Sequence, residues 1–215
     1  SMIGGGVPPF PGEITRAHGG VLILDEFLEF PAKVREALRE PIENGEIVVS
    51  RRGRAQKYPA NFLLMATTNL CPCGDLVPGK NTSCRFSLTR CRSYVERLSG
   101  PMLDRFQILT YSHKWDGPVE KNMLDLRKRV QQASEFRAKR GQTNVNARMT
   151  DAEVEKFIDL ESFHKLLPDS GGSRRRGRSI VRVARTAADL DQSEKIRPKD
   201  IQVALDFCWM PFESM

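Results

Sequence analysis

The stretch HGGVLILDEF, residues 18–27, places four consecutive apolar residues between a Gly-Gly pair and two adjacent acids. An unbroken apolar run such as Val21 to Leu24 is typical of a strand that is covered on both faces in a parallel sheet. Parallel sheets carry their chemistry at the carboxyl ends of their strands. We therefore expect Asp25 to hold Mg²⁺ and Glu26 to polarise an attacking water, as acids do in phosphate-hydrolysing sites. The alternative is that Asp25 caps the next helix and Glu26 is simply solvated.

Composition sets the outer limits of the interpretation. The 215 residues can bury one large core or two small ones, and 34 Lys and Arg against 27 Asp and Glu give a formal net charge of +7. This charge permits a nucleic-acid or phosphate partner without requiring one. No apolar run approaches the roughly 20 residues that span a bilayer, and no signal-peptide pattern opens the chain. We expect a cytoplasmic protein that does not contact a membrane.

The pattern of elements changes along the chain. After the acids, a short helix is predicted with Val34, Leu38 and Ile42 on one face, followed by a hairpin with arms EIVVS and AQKYP turned at residues 51–54. A second buried strand, NFLLMATTN, ends in polar residues 67–69. From Trp115 onward only helical patterns occur. The sequence predicts an α/β part, residues 1–114, and an all-helical domain, residues 115–215.

A phosphate-binding loop of the form G-x-x-x-x-G-K-[ST] has one near match, GDLVPGKNT, residues 74–82. Asn81 stands where a hydroxyl should reach Mg²⁺, and Pro78 removes an amide that would bind phosphate. We expect that this stretch is not a phosphate loop and that the loop is missing from this chain.

Several segments together resemble one family. These are residues 4–53, which include the Gly-rich opening and the acidic strand, then ATTNLCPCGD (66–75), RLSGPMLDRF (97–106) and IVRVARTAADL (180–190). Their order and spacing resemble the magnesium-chelatase-like AAA+ ATPases, and within them the ComM branch of DNA-processing ATPases. The resemblance implies the C-terminal part of an AAA+ P-loop NTPase core, with a parallel sheet and helices, followed by an all-helical lid domain. It also implies a Walker A loop upstream, ATP and Mg²⁺ as ligands, and a hexameric ring.

The resemblance assigns roles in the α/β part. Asp25 and Glu26 are similar to the Walker B pair. Asn69 is similar to sensor 1, whose amide orients the attacking water, with a simple strand-end cap as the alternative. Arg105 in PMLDRF resembles the arginine finger that a ring neighbour inserts to stabilise charge on the transferring phosphoryl group. Its alternative is a surface salt bridge with Asp104.

In the helical domain, Arg175 resembles sensor 2, a lid arginine that reaches the bound nucleotide. It stands in Ser173-x-Arg175, seven residues before Arg182. The run SRRRGR contains three consecutive arginines, so that Arg174 and Arg176 remain alternatives to Arg175 for this role.

Four of the five cysteines are clustered: Cys71, Cys73, Cys84 and Cys91 follow the pattern C-x-C-x10-C-x6-C. In a cytosolic protein such a cluster favours Zn²⁺ over disulfides. The ComM-like pattern has two C-x-C pairs, and Phe86 here occupies the position of the last cysteine. The alternative is a reduced, metal-free loop, and remote Cys208 is expected in the core.

Two basic features are open to two interpretations. The hairpin carries four basic residues close to its turn, Arg51, Arg52, Arg54 and Lys57. In one interpretation they bind a nucleic-acid backbone without reading its sequence, and in the other they form a solvated turn. The stretch LDLRKRVQQASEFRAKRG, residues 124–141, is expected to be a charged helix face whose apolar side packs through Met123, Leu124 and Val130.

Three functions therefore remain in view. The first is part of a ComM-like motor that couples ATP hydrolysis in a ring to DNA remodelling or branch migration. The second is a magnesium chelatase motor subunit that drives metal insertion into a porphyrin. The third is a non-hydrolysing nucleic-acid or zinc-binding module, which describes this chain if it lacks the phosphate loop.

Overall fold

The computed structural model describes residues 1–76, 84–98, 100–110, 122–158 and 174–208, apart from the side chain of residue 51. The chain divides into two compact units, Ser1–Arg105 and Phe106–Met215, and each is described by itself. The boundary expected between residues 114 and 118 lies within 111–121, outside the described residues.

The first unit combines three pairs of strands with short helices. Its strands are β1 (Gly4–Gly5), β2 (Phe10–Pro11), β3 (Val21–Leu24), β4 (Glu46–Arg51), β5 (Arg54–Pro59) and β6 (Leu63–Ala66). Its helices are α1 (Glu13–Arg16), α2 (Ala32–Ala37), α3 (Arg39–Asn44), α4 (Leu88–Val95) and α5 (Gly100–Leu103). Strands β1 and β2 pair antiparallel, as do β4 and β5, whereas β3 and β6 pair in parallel.

The parallel pair is covered on one face only, within the part of the chain that the structure describes. Leu22 and Leu24 are buried, whereas Val21 and Ile23 are 49% and 67% exposed. Strand β6 alternates in the same way, with Leu63 exposed. The expectation that β3 is covered on both faces, and the expectation that β6 is buried, are therefore wrong for these residues. An apolar run cannot distinguish the two cases, because the sequence does not show what packs on the second face.

The helix expected after the acids is interrupted. Helix α2 ends at Ala37, Leu38 is its C-cap, and α3 starts at Arg39 with Pro41 in its first turn. Pro41 has no amide hydrogen to donate back to residue 37, which explains why one continuous helix does not form. Leu38 is fully buried at the junction. Gly45 ends α3 in the left-handed conformation that favours glycine, and the chain then enters β4.

The predicted hairpin is confirmed. Strands β4 and β5 pair from Glu46↔Pro59 to Arg51↔Arg54, so that the loop consists of Arg52 and Gly53 alone. Both loop residues have positive φ, 47° and 76°, as a two-residue turn that matches strand twist requires. The buried residues Ile47 and Val49 fix which face of the hairpin points inward.

The second unit is helical in its described residues. Its helices are α6 (Met123–Lys139), α7 (Asp151–Glu155), α8 (Arg174–Leu190) and α9 (Pro198–Cys208), with a short 3-10 helix at Asn146–Arg148. Helix α8 supplies half of the core, which consists of Met149, Val154, Ile180, Val181, Val183, Ala184, Ala204 and Cys208. Cys208 is a core residue as expected, and burial raises the pKa of its thiol to about 11.

The prediction for α6 is wrong. Met123, Leu124 and Val130 are 76%, 62% and 63% exposed, and none of the described α6 residues is buried. The helix is attached near its C-terminal end, where Arg140 reaches Asp189 of α8. Apolar residues at helical spacing indicated a packed side, but charged neighbours can keep such a helix solvated along its length.

None of the described helices combines the length and the apolar character that crossing a membrane requires.

Candidate active site

The acids and the polar end of the second strand lie side by side. The register Leu24↔Ala66 ends β3 and β6 at the same level, so that Asp25 and Glu26 follow one strand where Thr67 follows the other. These residues and Asn69 are all exposed. The two strand ends therefore form one polar edge, as the parallel arrangement predicts.

Thr67 connects the two acids. Its Oγ1 donates a hydrogen bond to Asp25 Oδ1 and accepts one from the Glu26 amide at 3.1 Å. Backbone bonds continue the ladder on both sides, from Thr67 N to Leu24 O at 3.0 Å and from Phe27 N to Thr67 O at 2.8 Å. The sequence alone predicts Thr67 only as part of a polar strand end. The signal available was its position: a hydroxyl one residue past β6 falls opposite the first acid past β3.

Glu26 has left-handed backbone angles, φ 50° and ψ 50°. A non-glycine residue in this region costs roughly 1–2 kcal/mol, so that the surrounding bonds must hold it there. Its amide is held by Thr67, and its carbonyl accepts from Glu29 N at 2.8 Å. Strain of this kind, concentrated on an exposed acid at the end of a parallel strand, marks a candidate functional residue.

A buried arginine fixes the segment that follows the acids. Residues Phe27–Glu29 form a 3-10 helix in which Phe27 and Leu28 are buried. The Arg35 guanidinium donates to Leu28 O at 2.9 Å and also to the carbonyls of residues 30 and 97. Arg35 thus gives the carbonyls of residues 30 and 97 a donor and shares Leu28 O with Arg97, in place of a regular backbone ladder.

Helix α4 holds the same segment from the other side. Tyr94 Oη donates to Glu29 Oε1 at 2.7 Å, and Arg97 lies 3.6 Å from that carboxylate. Burial raises the pKa of Tyr94 to about 12, with the hydrogen bond to Glu29 adding to the rise. The turn after the acids is thus attached to α4 by side chains.

Arg105 forms a salt bridge within the first unit. Its Nη2 lies 2.9 Å from Glu43 Oε2, its Nη1 donates to the carbonyl of Pro101, and its side chain is only 9% exposed. The described contacts of Arg105 are therefore with α3 and α5 rather than with the acid pair. The alternative weighed from sequence was a salt bridge with Asp104; the bridge found here uses Glu43.

The arginines at the start of α8 differ in exposure. Arg174 and Arg175 are exposed, whereas Arg176 is buried and donates to Phe106 O at 3.1 Å. Arg182, which lies seven residues after Arg175, donates to Met149 O at 3.2 Å. Burial lowers the pKa of Arg182. Ser173 lies outside the described residues. Exposure favours Arg175 or Arg174 over Arg176 as a nucleotide-reaching side chain.

The four clustered cysteines are brought together. The Sγ–Sγ distances are 3.2 Å from Cys71 to Cys73, 3.4 Å from Cys73 to Cys84, and 3.5 Å from Cys84 to Cys91. The first three sulfurs all lie within 4.8 Å of one another, a spacing that can hold a metal ion. All four are free thiols. Burial raises the pKa of the Cys91 thiol to about 11, with the hydrogen bond to Cys84 as the next cause.

The hairpin turn presents positive charge. Arg52 and Arg54 are exposed, whereas Lys57 is paired with Glu46 at 2.8 Å, a hydrogen bond that raises the lysine pKa. The side chain of Arg51 lies outside the described part. In the stretch GDLVPGKNT, residues 77–82 likewise lie outside the described part. That this stretch is not a phosphate loop therefore stays a prediction from sequence.

Two family models match the chain. The model for magnesium chelatase, subunit ChlI, matches residues 1–119, and the model for the C-terminal part of that subunit matches residues 120–208.

Curated relatives cover nearly all of the chain. Uncharacterized protein YifB of Escherichia coli K12 is 39% identical over 96% of this chain, and competence protein ComM of Haemophilus influenzae is 36% identical over 96%. The chain spans only 42% of the length of each. A shorter match, 27% identical over 53% of the chain and 16% of the relative, is to probable DNA helicase MCM9 of Arabidopsis thaliana.

The matches agree with the fold. A mixed α/β unit with a parallel strand pair, followed by a helical C-terminal part, is the AAA+-like arrangement expected from sequence, and this expectation is confirmed. The resemblance to ComM-like proteins is confirmed as well. The chain belongs to the magnesium chelatase ChlI family.

Proposed function

We propose that this chain supplies the acidic half of an ATP-hydrolysing site in a ring-forming motor. The observation that carries the proposal is the hydrogen-bonded group Asp25–Thr67–Glu26 at the carboxyl end of the parallel pair. The family points generally to dependence on ATP and Mg²⁺.

The acid pair fits a magnesium-nucleotide complex chemically. Mg²⁺ binds through one or two carboxylates, waters and substrate phosphates, and it neutralises charge on the phosphates when bound. Asp25 offers an exposed carboxylate whose orientation is fixed by Thr67, which suits it to hold the ion or one of its waters. Glu26, one residue further on and held in a strained conformation, is the base that orients and polarises the attacking water.

Three further residues complete the proposed site. Asn69, exposed beside the acids, orients the water and senses the γ-phosphate through its amide. Arg105 acts in trans as the arginine finger of a neighbouring subunit, and for this it must leave Glu43. Arg175 contacts the nucleotide from the helical unit. These roles are carried over from the family resemblance at matching positions.

We propose that hydrolysis drives DNA remodelling or branch migration by a cytoplasmic hexamer. Support comes from the relatives: one is a competence protein and a shorter match is a probable DNA helicase. The exposed arginines of the β4–β5 turn, Arg52 and Arg54, supply phosphate-binding charge at the end of a hairpin. Binding through such a turn depends on charge and not on base sequence.

A second candidate is a magnesium chelatase motor acting on porphyrin metallation. The observation in its favour is the description of both family models, which cover residues 1–119 and 120–208. The matches to YifB and ComM, which cover 96% of this chain, favour the DNA-processing function. The third candidate, a module that does not hydrolyse ATP, is an outcome of the test below.

The test uses the full-length parent protein, with ATP hydrolysis measured with and without branched DNA. Glu26→Gln should lower the hydrolysis rate by orders of magnitude while Mg-ATP binding persists, because the base is lost but the phosphate ligands remain. The matched control is Glu96→Gln, an exposed acid at the end of α4, which should hydrolyse at the wild-type rate. A wild-type protein without ATPase activity, or an active Glu26→Gln variant, contradicts the proposal.

A further inference from the structure

We propose that Cys71, Cys73, Cys84 and Cys91 form a tetrathiolate Zn²⁺ site in which the fourth ligand comes from helix α4. The proposal is independent of ATP hydrolysis, because it rests on the thiol geometry alone. It assigns the fourth thiolate to Cys91, since position 86 holds a phenylalanine whose ring lies against the Arg90 guanidinium, 4.2 Å from ring centroid to Cζ.

The sulfur spacing matches a small tetrahedral ion. A Zn–S bond of about 2.3 Å places neighbouring sulfurs of a tetrathiolate roughly 3.8 Å apart. The consecutive sulfur pairs lie at 3.2, 3.4 and 3.5 Å, slightly closer than this and far beyond the roughly 2.05 Å of a disulfide bond. Cys71, Cys73 and Cys84 already lie within 4.8 Å of one another, and Cys91 completes the tetrahedron by moving in from its place 3.5 Å from Cys84.

The surroundings also suit metal-bound thiolates. Cys71 and Cys91 are buried, which keeps competing water away from two of the four sulfurs. The amide of Leu76 donates to Cys71 Sγ at 3.2 Å, the kind of supporting bond that fixes a ligating thiolate. Four thiolates favour zinc over hard cations, which prefer oxygen ligands.

The site joins two parts of the unit that carry the candidate active site. Cys71 and Cys73 follow Asn69 directly, and Cys91 lies in α4, the helix whose Tyr94 binds Glu29 beyond the acids. Gly74 lies against the Asn69 amide, since a Cβ added at this glycine would be 3.8 Å from the amide atoms. Bound zinc therefore fixes the segment after β6 on α4, next to Asn69.

The experiment measures metal content and cobalt spectra of the chain purified under reduction and without chelator. We expect about one zinc per chain, and a Co²⁺-substituted form whose ligand-field and charge-transfer bands indicate four thiolates. Cys91→Ser should weaken Zn²⁺ binding more than about 100-fold, because losing a mere supporting partner already costs roughly 10- to 100-fold. Cys208→Ala is the matched control, a buried cysteine outside the cluster, and should retain the metal with wild-type affinity.

Two results would overturn the proposal. The first is a metal-free wild-type protein that, once reduced, takes up neither Zn²⁺ nor Co²⁺. The second is a site with only three thiolates, seen as unchanged Zn²⁺ affinity in Cys91→Ser or as a three-thiolate Co²⁺ spectrum. Cys91 is buried, so that its replacement by serine can prevent folding. In that case the Co²⁺ spectrum of the wild-type protein alone decides the number of thiolate ligands.

Discussion

At the scale of single residues, Thr67 determines how the two acids are presented. One hydroxyl donates to the Asp25 carboxylate and accepts from the Glu26 amide, so that it fixes a side chain and a strained backbone together. We regard Thr67 as a positioning residue, because it acts through Asp25 and Glu26 and not on the nucleotide itself.

Replacing Thr67 by valine keeps the shape of the side chain and removes both hydrogen bonds. In the full-length protein we expect ATP turnover to fall by about 10- to 100-fold, since moving a reacting group by about 1 Å costs a factor of that order. The apparent affinity for Mg²⁺ should fall as well, because Asp25 loses its fixed orientation. Thr67→Ser restores the hydroxyl and should recover most of both values; a Thr67→Val enzyme with wild-type turnover and Mg²⁺ dependence would show that the bonds do not matter.

Individual roles could be predicted from sequence where position along a strand decides them. Asp25 and Asn69 follow strands that pair in parallel, so that their common edge was predictable from the apolar runs alone. The partner of Arg105 was not, because Glu43 is 62 positions away and only tertiary packing brings α3 to it. The bond of Thr67 to Asp25 could have been predicted, because Thr67 follows β6 at the level at which Asp25 follows β3.

At the scale of elements, a buried polar group fastens the helices of the second unit. Asp189 of α8 accepts from Arg185 at 3.2 Å and from Asn146 at 2.7 Å, and it pairs with Arg140 at the end of α6. Arg185 is fully buried. The Phe157 ring lies 5.2 Å from one guanidinium and 5.3 Å from the other. The Asp189 carboxylate thus balances the positive charge of two arginines, so that removing its charge should destabilise the whole group.

Asp189→Asn should destabilise this unit by about 3–5 kcal/mol, because it leaves buried arginine charge without its counter-ion. The measurement is denaturant unfolding followed by tryptophan fluorescence, since both tryptophans, Trp115 and Trp209, belong to this unit in sequence. Asp191→Asn is the control: Asp191 also binds basic side chains but is far more exposed, and its loss should have a much smaller effect. Equal unfolding midpoints for the two variants would contradict the assigned role of Asp189.

Elements were predictable where local chemistry determines them. The hairpin follows from alternating residues around a glycine turn, and the structure has it at the expected positions. The break between α2 and α3 depends on Pro41, whose effect was overlooked. The exposure of α6 and of one face of β3 could not be predicted, because periodicity shows which residues share a face but not whether anything covers that face.

At the scale of the whole molecule, we propose that the chain works in a ring whose active sites form between neighbouring subunits. The chain spans 42% of its YifB and ComM relatives, and the acids, the thiol cluster and Arg105 all belong to the first unit. A complete hydrolytic site is proposed to need residues from outside this chain, including a phosphate loop and a neighbouring subunit. The central claim is that one subunit provides Glu26 and the next provides Arg105.

Mixed rings test this claim most directly. Full-length Arg105→Ala and Glu26→Gln proteins are assembled separately and as an equal mixture at constant total concentration, and ATP hydrolysis is measured for each. An arginine finger contributes roughly 10³ to 10⁵ in rate. Each variant should therefore be nearly inactive alone, whereas the mixture should regain activity, because Glu26 of an Arg105→Ala subunit then meets the intact Arg105 of a Glu26→Gln neighbour. Glu43→Gln, which removes the salt-bridge partner of Arg105, should leave hydrolysis near wild type. A mixture as inactive as the two separate variants, or a Glu43→Gln protein as inactive as Arg105→Ala, would contradict the claim.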